Sequence, residues 1–323
     1  SLAFGLVLGP EAPLIVLGVV AGALTARLVG ATGPGAQLIS IAGAFAAISI
    51  VLGGPLVSSL ALFEILAVSG AVASAAIVPT LAPGFVAAGT GALAYTGIAD
   101  WPGLNQAALH GPDLVDYPSV RVADIAWCLV VAVLVGVAAA LARPFAQWVD
   151  RAVSARPTLA LVAGGFAVGA IGVVFRAITD RPVDLVLFSG QTSLPAIAAE
   201  GSAGVLALVV VAKAVCLAIS MGAGFRGGAI FPSVAIGAAA GAMCAVILPG
   251  LATTPAVVAG IAAGAAAGVR MPVFGAVLAA LLVHSDISDA IPIAVVASVA
   301  GWLVALVIDR ILARRDLQPA AGG

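Results

Sequence analysis

Long apolar runs dominate the chain, and they differ in length. Four are close to the roughly 20 residues that a helix needs to cross a bilayer: 123–142, 159–175, 205–221 and 291–308. Six others are shorter and are broken by glycine or proline: 13–28, 39–52, 55–68, 230–248, 256–269 and 272–283. This pattern predicts an all-α polytopic membrane protein. The short runs predict broken, re-entrant helices that end inside the membrane, where protein or a cavity must surround their ends.

Composition narrows the class further. Of 323 residues, 63% are hydrophobic and 8% are charged, too few charges to cover a soluble domain. The net charge of −1 argues against a nucleic-acid partner. Three widely spaced cysteines do not form a disulfide framework. No residue pattern indicates catalysis, a metal site or a cofactor, so we do not expect an enzyme.

Two polar connections divide the chain and suggest its orientation. Residues 99–121 are acidic and are predicted to be an extracytoplasmic linker, whereas 143–157 are rich in arginine and are predicted to be cytoplasmic. The basic segment 310–323 is predicted to be a cytoplasmic tail by the same bias. We therefore expect two membrane half-repeats, 1–98 and 122–309.

An internal repeat supports this division. A first block has the pattern G-x3-P-x4-G-x3-G-A and occurs twice, at Gly9 and at Gly228, with a constant offset of 219. A second block echoes at an offset of 217, with Gly43, Ala46 and Pro55 matched by Gly260, Ala263 and Pro272. Because the two polar connections have opposite charge character, the copies are predicted to be inverted. The first copy starts close to residue 1, so we expect an upstream part to precede it.

Each copy of the first block places glycines and a proline at the start of a short apolar run. Proline is tolerated in the first turn of a helix, where the amides have no acceptor within the helix. The amides of 10–13 and 228–232 therefore have the positive end of a helix dipole behind them. Two such ends facing one point predict an anion site, as in broken-helix transporters. Ordinary glycine and proline kinks are the alternative explanation.

Three ordered motifs resemble those of a known family. Residues 9–13, G-P-E-A-P, resemble the G-x-E-G-P motif of the CLC chloride channels and proton–chloride exchangers. Residues 222–232 are similar to the family's G-x-F-x-P motif, and residues 55–64 are similar to its P-L-A-G-x-L-F-x-x-E segment. The resemblance implies a fold of two inverted halves. It also implies a homodimer in which each protomer holds its own anion pathway, with contacts through 55–90 and 272–308.

The resemblance also implies roles for individual residues. Glu11 falls on the gating glutamate, a tethered competitor of the anion that leaves when protonated; a helix cap or a surface glutamate is the alternative. Backbone amides implied as anion donors are those of Gly9, Ala12, Ala229, Ile230 and Phe231. Ala12 stands where the family has glycine. The family's serine loop would lie upstream of residue 1, and the tyrosine that completes its site has no counterpart in 309–317.

A second glutamate and a lysine are less clearly assigned. Family exchangers relay protons through the second of two adjacent acids, but here the pair is Glu64-Ile65, so Ile65 occupies the relay position. Glu64 is either a shifted relay on a proton pathway or a buried structural acid. Lys213 stands alone in an apolar run and is expected to snorkel to the membrane surface or to pair with an acid.

These observations predict a multi-pass protein of the cell membrane. It is predicted to transport chloride or a similar small anion, as a channel or as a proton-coupled exchanger. Its partners would be the anion, protons, the lipid bilayer and a second copy of the chain. Two alternatives stay open: a broken-helix carrier for another small solute, and a truncated membrane protein that does not transport.

Overall fold

The computed structural model of the protein describes residues 4–68, 77–98, 111–112, 114–115, 117, 119–283 and 289–316. Its α-helices are α1 (Glu11–Leu28), α2 (Gly33–Val51), α3 (Pro55–Val68), α4 (Ile77–Thr96), α5 (Val122–Val153), α6 (Pro157–Thr179), α7 (Leu194–Ala198), α8 (Ala203–Gly222), α9 (Ile230–Ile247), α10 (Thr253–Val269), α11 (Pro272–Leu282) and α12 (Ile291–Asp316). Seven of the helices in these ranges are long and apolar enough to cross a membrane, namely α1, α2, α5, α6, α8, α9 and α12. The prediction of an all-α polytopic membrane protein is confirmed.

Several predicted boundaries change. Helix α1 begins two residues before Pro13, at which its apolar run was predicted to start, whereas α9 begins at Ile230 as its run predicts. The basic stretch 143–157 is mostly helix, because α5 continues to Val153, and only residues 154–156 connect α5 to α6. Arg143 and Arg151 lie on α5, whereas Arg156 lies in the connection, directly before α6. The helix α12 continues to Asp316, so the predicted tail begins as helix, and residues 317–323 lie outside the described residues. Most of the predicted linker, including 99–110, also lies outside them.

The chain forms two compact units. One, here called unit A, comprises Gly9–His110 with Arg226–Gly228. The other, unit B, comprises Ser1–Leu8, Gly111–Phe225 and Ala229–Gly323. Helices α1 to α4 belong to unit A, and α5 to α12 belong to unit B.

In unit A, α1 and α2 cross with their backbones in contact. A Cβ added at Gly18 would overlap the carbonyl oxygen of Gly43, and one added at Gly22 would overlap that of Ile39. The helix α4 also packs against α2, where a Cβ on Gly91 would lie 2.8 Å from the carbonyl oxygen of Ala46. Only small residues allow backbones to approach this closely, which is how helices associate in membranes.

Unit B repeats these contacts with α9, α10 and α12. A Cβ at Gly237 would overlap the carbonyl oxygen of Gly260, and one at Gly241 would overlap that of Ala256. A Cβ at Gly301 on α12 would lie 2.8 Å from the Cβ of Ala263. The contacts between α1 and α2 and those between α9 and α10 use positions that the sequence repeat relates, so this part of the repeat corresponds to one helix packing used twice. The inversion of the two copies stays a prediction.

A polar cluster closes the N-terminal end of α5 in unit B. The Asp124 carboxylate is fully buried and accepts hydrogen bonds from the Tyr117 hydroxyl at 2.7 Å and from Arg121 Nε at 2.8 Å. Arg121 also donates to the Gly250 carbonyl at 2.9 Å, which links the cluster to the connection between α9 and α10. Burial raises the pKa of Tyr117, and the hydrogen bond to Asp124 raises it further.

Candidate functional site

The two copies of the glycine–proline motif meet at their first glycines. The Gly9 amide donates to the Gly228 carbonyl at 2.7 Å, and the Gly228 amide donates to the Gly9 carbonyl at 2.8 Å. This pair forms an isolated antiparallel bridge, and both residues belong to unit A. In such a bridge the two paired residues exchange both N–H···O hydrogen bonds. The sequence repeat therefore corresponds to a direct contact between its copies.

Glu11 lies beside this bridge, as the first residue of α1. Its residue is only 3% exposed. Its carboxylate occupies the space that a Cβ on either Gly9 or Gly228 would need. Because any other residue has a Cβ, both positions must be glycine for the carboxylate to lie here. A carboxylate in the first turn of its own helix also interacts favourably with the helix dipole.

The starts of α1 and α9 are built alike. In α1 the first hydrogen bond within the helix joins the Leu14 amide to the Pro10 carbonyl, and in α9 it joins Ser233 to Ala229. Proline is the third residue of both helices. Two amides therefore precede the first helical hydrogen bond at each start, those of Glu11 and Ala12 in α1 and those of Ile230 and Phe231 in α9.

The predicted site residues divide between the two units. Gly9, Glu11 and Ala12 lie in unit A at the start of α1, and Ala12 is half-buried. In unit B, Ala229 caps α9 with φ −102° and ψ −2°, Ile230 begins the helix, and Phe231 is 1% exposed. The predicted amides of Ala12, Ala229, Ile230 and Phe231 therefore lie at the start of a helix. The Gly9 amide does not, because it donates to the Gly228 carbonyl in the bridge. The convergence of these amides on one anion stays a prediction.

Gly228 lies in the segment 228–232 that was predicted to supply amides, but its contacts with Gly9 and Glu11 were not predicted. Its signal was present in the sequence, because it is the first residue of the repeated motif and matches Gly9 at the offset of 219. A repeat shows which residues are equivalent but not that they touch. The direct contact with Gly9 and Glu11 therefore required the structure.

Glu64 and Ile65 have opposite environments on α3. Glu64 is buried, at 7% exposed, whereas Ile65 is 50% exposed. Adjacent residues on a helix point about 100° apart, so one side chain can be buried while its neighbour is exposed. The buried acid is the one that can act on protons inside the protein, and the predicted relay position holds an exposed apolar residue.

Lys213 does not behave as either alternative predicted. It is 0% exposed, so it does not snorkel, and its ammonium donates to backbone carbonyls rather than to an acid among the described residues.

Among the described residues, no three histidine, cysteine, aspartate or glutamate side chains are grouped so as to hold a metal ion.

Comparison with known proteins identifies the family. The sequence model of the family described as "Voltage gated chloride channel" matches residues 1–305, nearly the whole chain. The chain belongs to this family. Its seven candidate spans agree with a multi-pass membrane location. Among curated relatives, the "Putative ion-transport protein YfeO" of Salmonella newport is 39% identical over 89 residues, which are 27% of this chain and 20% of that protein. The match spans about a fifth of the length of such relatives.

Solved structures of membrane transporters share the fold. A slow cyanobacterial Cl⁻/H⁺ antiporter aligns with a TM-score of 0.73 and 20% identity, covering 98% of this chain and 74% of the antiporter chain. A CLC-type fluoride/proton antiporter aligns with a TM-score of 0.67 and 18% identity, covering 93% and 71% of the respective chains. A eukaryotic CLC transporter aligns with a TM-score of 0.58 and 18% identity, covering 94% and 51%. At these identities the likeness establishes the fold.

Proposed function

We propose that the protein moves chloride or a similar small anion across the cell membrane and that Glu11 gates the pathway. In this proposal the carboxylate occupies the anion's place when it is ionised and leaves when it is protonated. The amides at the starts of α1 and α9 then bind the anion, without the desolvation penalty of a full positive charge buried inside the membrane.

The observation that carries the proposal is the position of Glu11 against the Gly9–Gly228 bridge. An ionisable side chain within a membrane segment marks a functional site by default. Here its carboxylate is buried at the point where the two copies of the motif meet, and two residues without side chains make room for it. Membership of the voltage-gated chloride channel family supports an anion as the transported species.

A channel and an exchanger differ in whether anion movement is coupled to proton movement. Glu64 is the buried acid on α3 and the candidate inner proton site, whereas Ile65 cannot carry a proton. We propose weak proton coupling that depends on Glu64. A homodimer through 55–90 and 272–308 is proposed by resemblance to the family.

The test measures anion flux and proton flux in liposomes for wild type, Glu11→Gln and Glu64→Gln. Glutamine cannot ionise, so Glu11→Gln should transport anions at a rate that does not depend on external pH. In this variant an anion gradient should drive no proton movement. Glu64→Gln should keep the pH-dependent anion flux and lose the coupled proton flux. An anion flux that still depends on pH in Glu11→Gln would contradict the gate assignment. Tight coupling of proton flux to anion flux in Glu64→Gln would contradict the proton role of Glu64.

A further inference from the structure

Lys213 is a buried cation that contributes to none of the steps above. It lies in the middle of α8 and is 0% exposed. Its Nζ donates to three consecutive carbonyl oxygens, those of Val186 at 3.0 Å, Leu187 at 3.2 Å and Phe188 at 3.4 Å. An ammonium group has three N–H donors, so this one turn of backbone satisfies all of them.

The turn that Lys213 holds is conformationally unusual. Phe188 has φ +60° and Gly190 has φ +91°. A residue with a side chain adopts the left-handed region at a cost, so surrounding contacts must maintain it at Phe188. Three charge-assisted hydrogen bonds to the carbonyls of 186–188 provide such contacts. Gly190 is close as well, since a Cβ there would lie 3.3 Å from Lys213 Cε.

The turn 186–190 contacts two other segments, and each of them adjoins one copy of the glycine–proline motif. On one side the Phe188 amide donates to the Gly5 carbonyl at 3.1 Å, and Leu187 packs against Gly5. Gly5 begins the buried segment 5–8, which continues directly into Gly9. On the other side, a Cβ on Gly190 would lie 2.5 Å from the Cβ of Ala235, five residues into α9. All of these contacts except the peptide bond to Gly9 lie within unit B.

We propose that Lys213 is a positioning residue for the anion site. Its ammonium fixes the turn 186–190, and that turn fixes both the segment 5–8 that leads into the Glu11 motif and the first part of α9. The side chain acts through the backbone and does not itself contact the anion. This assignment rests on the proposed function for its transport consequence, but its structural part can be tested without transport.

The structural test is hydrogen–deuterium exchange on the purified protein carrying Lys213→Met. Methionine keeps much of the length of the side chain and removes all three donors. Exchange at 5–8 and 186–190 should rise about tenfold or more, the factor expected for losing charge-assisted hydrogen bonds, while α5 keeps its protection. Cys216→Ala, a truncation at another fully buried position on α8, is the matched control and should leave both segments protected. Unchanged exchange in folded Lys213→Met would overturn the proposal.

The transport test compares flux at acidic and neutral pH in liposomes. A loosened motif should hold Glu11 less firmly at the site, so the ratio of acidic to neutral flux should move toward one in Lys213→Met. The substitution should add nothing in a Glu11→Gln background, because the two changes act on one step. A wild-type ratio in Lys213→Met, with Glu11→Gln behaving as expected, would overturn the positioning role; pH dependence surviving in Glu11→Gln would instead overturn the gate.

A second variant covers the case in which Lys213→Met does not fold. Leu187→Ala leaves the three donors in place and removes the side chain that packs on Gly5. It should raise exchange at 5–8 and lower the flux ratio in the same direction, by a smaller factor. If Leu187→Ala leaves both measurements at wild-type values, the turn does not position the segment.

Discussion

Replacing Gly260 by alanine tests the backbone contact between α9 and α10. The added Cβ would overlap the carbonyl oxygen of Gly237, and both Gly260 and Gly237 are fixed in helices. Real Cβ atoms essentially never lie within 3.0 Å of another heavy atom, and no side-chain rotation can relieve an overlap with backbone. The helices would have to part by about 1 Å, out of an interaxial distance that is normally about 8–10 Å.

The expected loss of stability follows from two opposing terms. Alanine gains about 1 kcal/mol over glycine in helix propensity, whereas forcing extra atoms into a packed core costs about 1–3 kcal/mol and occasionally more. Overpacking should win here, because parting the helices also disturbs the neighbouring buried residues of both. With the overpacking cost at the upper end of that range, we expect a net destabilisation of about 2 kcal/mol, which for a chain of 323 residues corresponds to a fall in Tm of about 3 °C.

Thermal unfolding of the purified protein provides the assay, and α6 provides the control. Gly169 lies in the middle of α6, where an added Cβ would meet nothing within 4 Å. Gly169→Ala should therefore keep only the propensity gain and raise the Tm by about 2 °C. If Gly260→Ala melts at or above the wild-type temperature while Gly169→Ala behaves as expected, the backbones of α9 and α10 do not touch as described.

Two further predictions concern the amide site and the polar cluster before α5. Ala12→Pro removes one amide in the first turn of α1, where proline is tolerated, and should weaken halide binding about tenfold or more. Calorimetric titration measures the halide affinity, and Ala12→Ser, which keeps the amide, is the control. Equal affinities in the two variants would contradict the amide site. Tyr117→Phe loses the hydrogen bond to Asp124 and should lower stability by about 2 kcal/mol. Because the folded pKa of Tyr117 is raised above 10.0, this difference should be present below pH 10.0 and vanish as pH rises through the raised pKa; a Tm difference that stays constant into strong alkali would refute it.

The fold was predictable where apolar runs and turn residues agree. The run predicted at 55–68 is α3, because Pro55 marks its start. Helix α4 was not predicted, since Pro83 and several glycines interrupt its apolar pattern. The basic end of α5 was predicted as a loop because arginine suggested solvent, yet charged residues extend a helix readily beyond the apolar core.

The candidate site was partly predictable for a related reason. Motif and repeat pointed to Glu11 and to the two helix starts, because helix-start chemistry is local in sequence. The partners of Lys213 were not predictable, since they are carbonyls of a distant turn in which Phe188 adopts a left-handed conformation. No residue type encodes such a carbonyl cluster, so only the tertiary structure reveals it.

The close contacts between helices at glycine reduce the side-chain entropy that is lost when the helices pack together. Lipid tails are as apolar as leucine, so burial supplies little driving force between helices in a bilayer, and close packing has to supply it. Long side chains lose up to about 2 kcal/mol of rotamer freedom when they are buried, whereas alanine and glycine lose none. Helices α9 and α10 bury 13 and 15 residues, most of them alanine or glycine. The pair therefore associates with little side-chain ordering, so the dispersion contacts between the two backbones have a smaller entropy loss to offset.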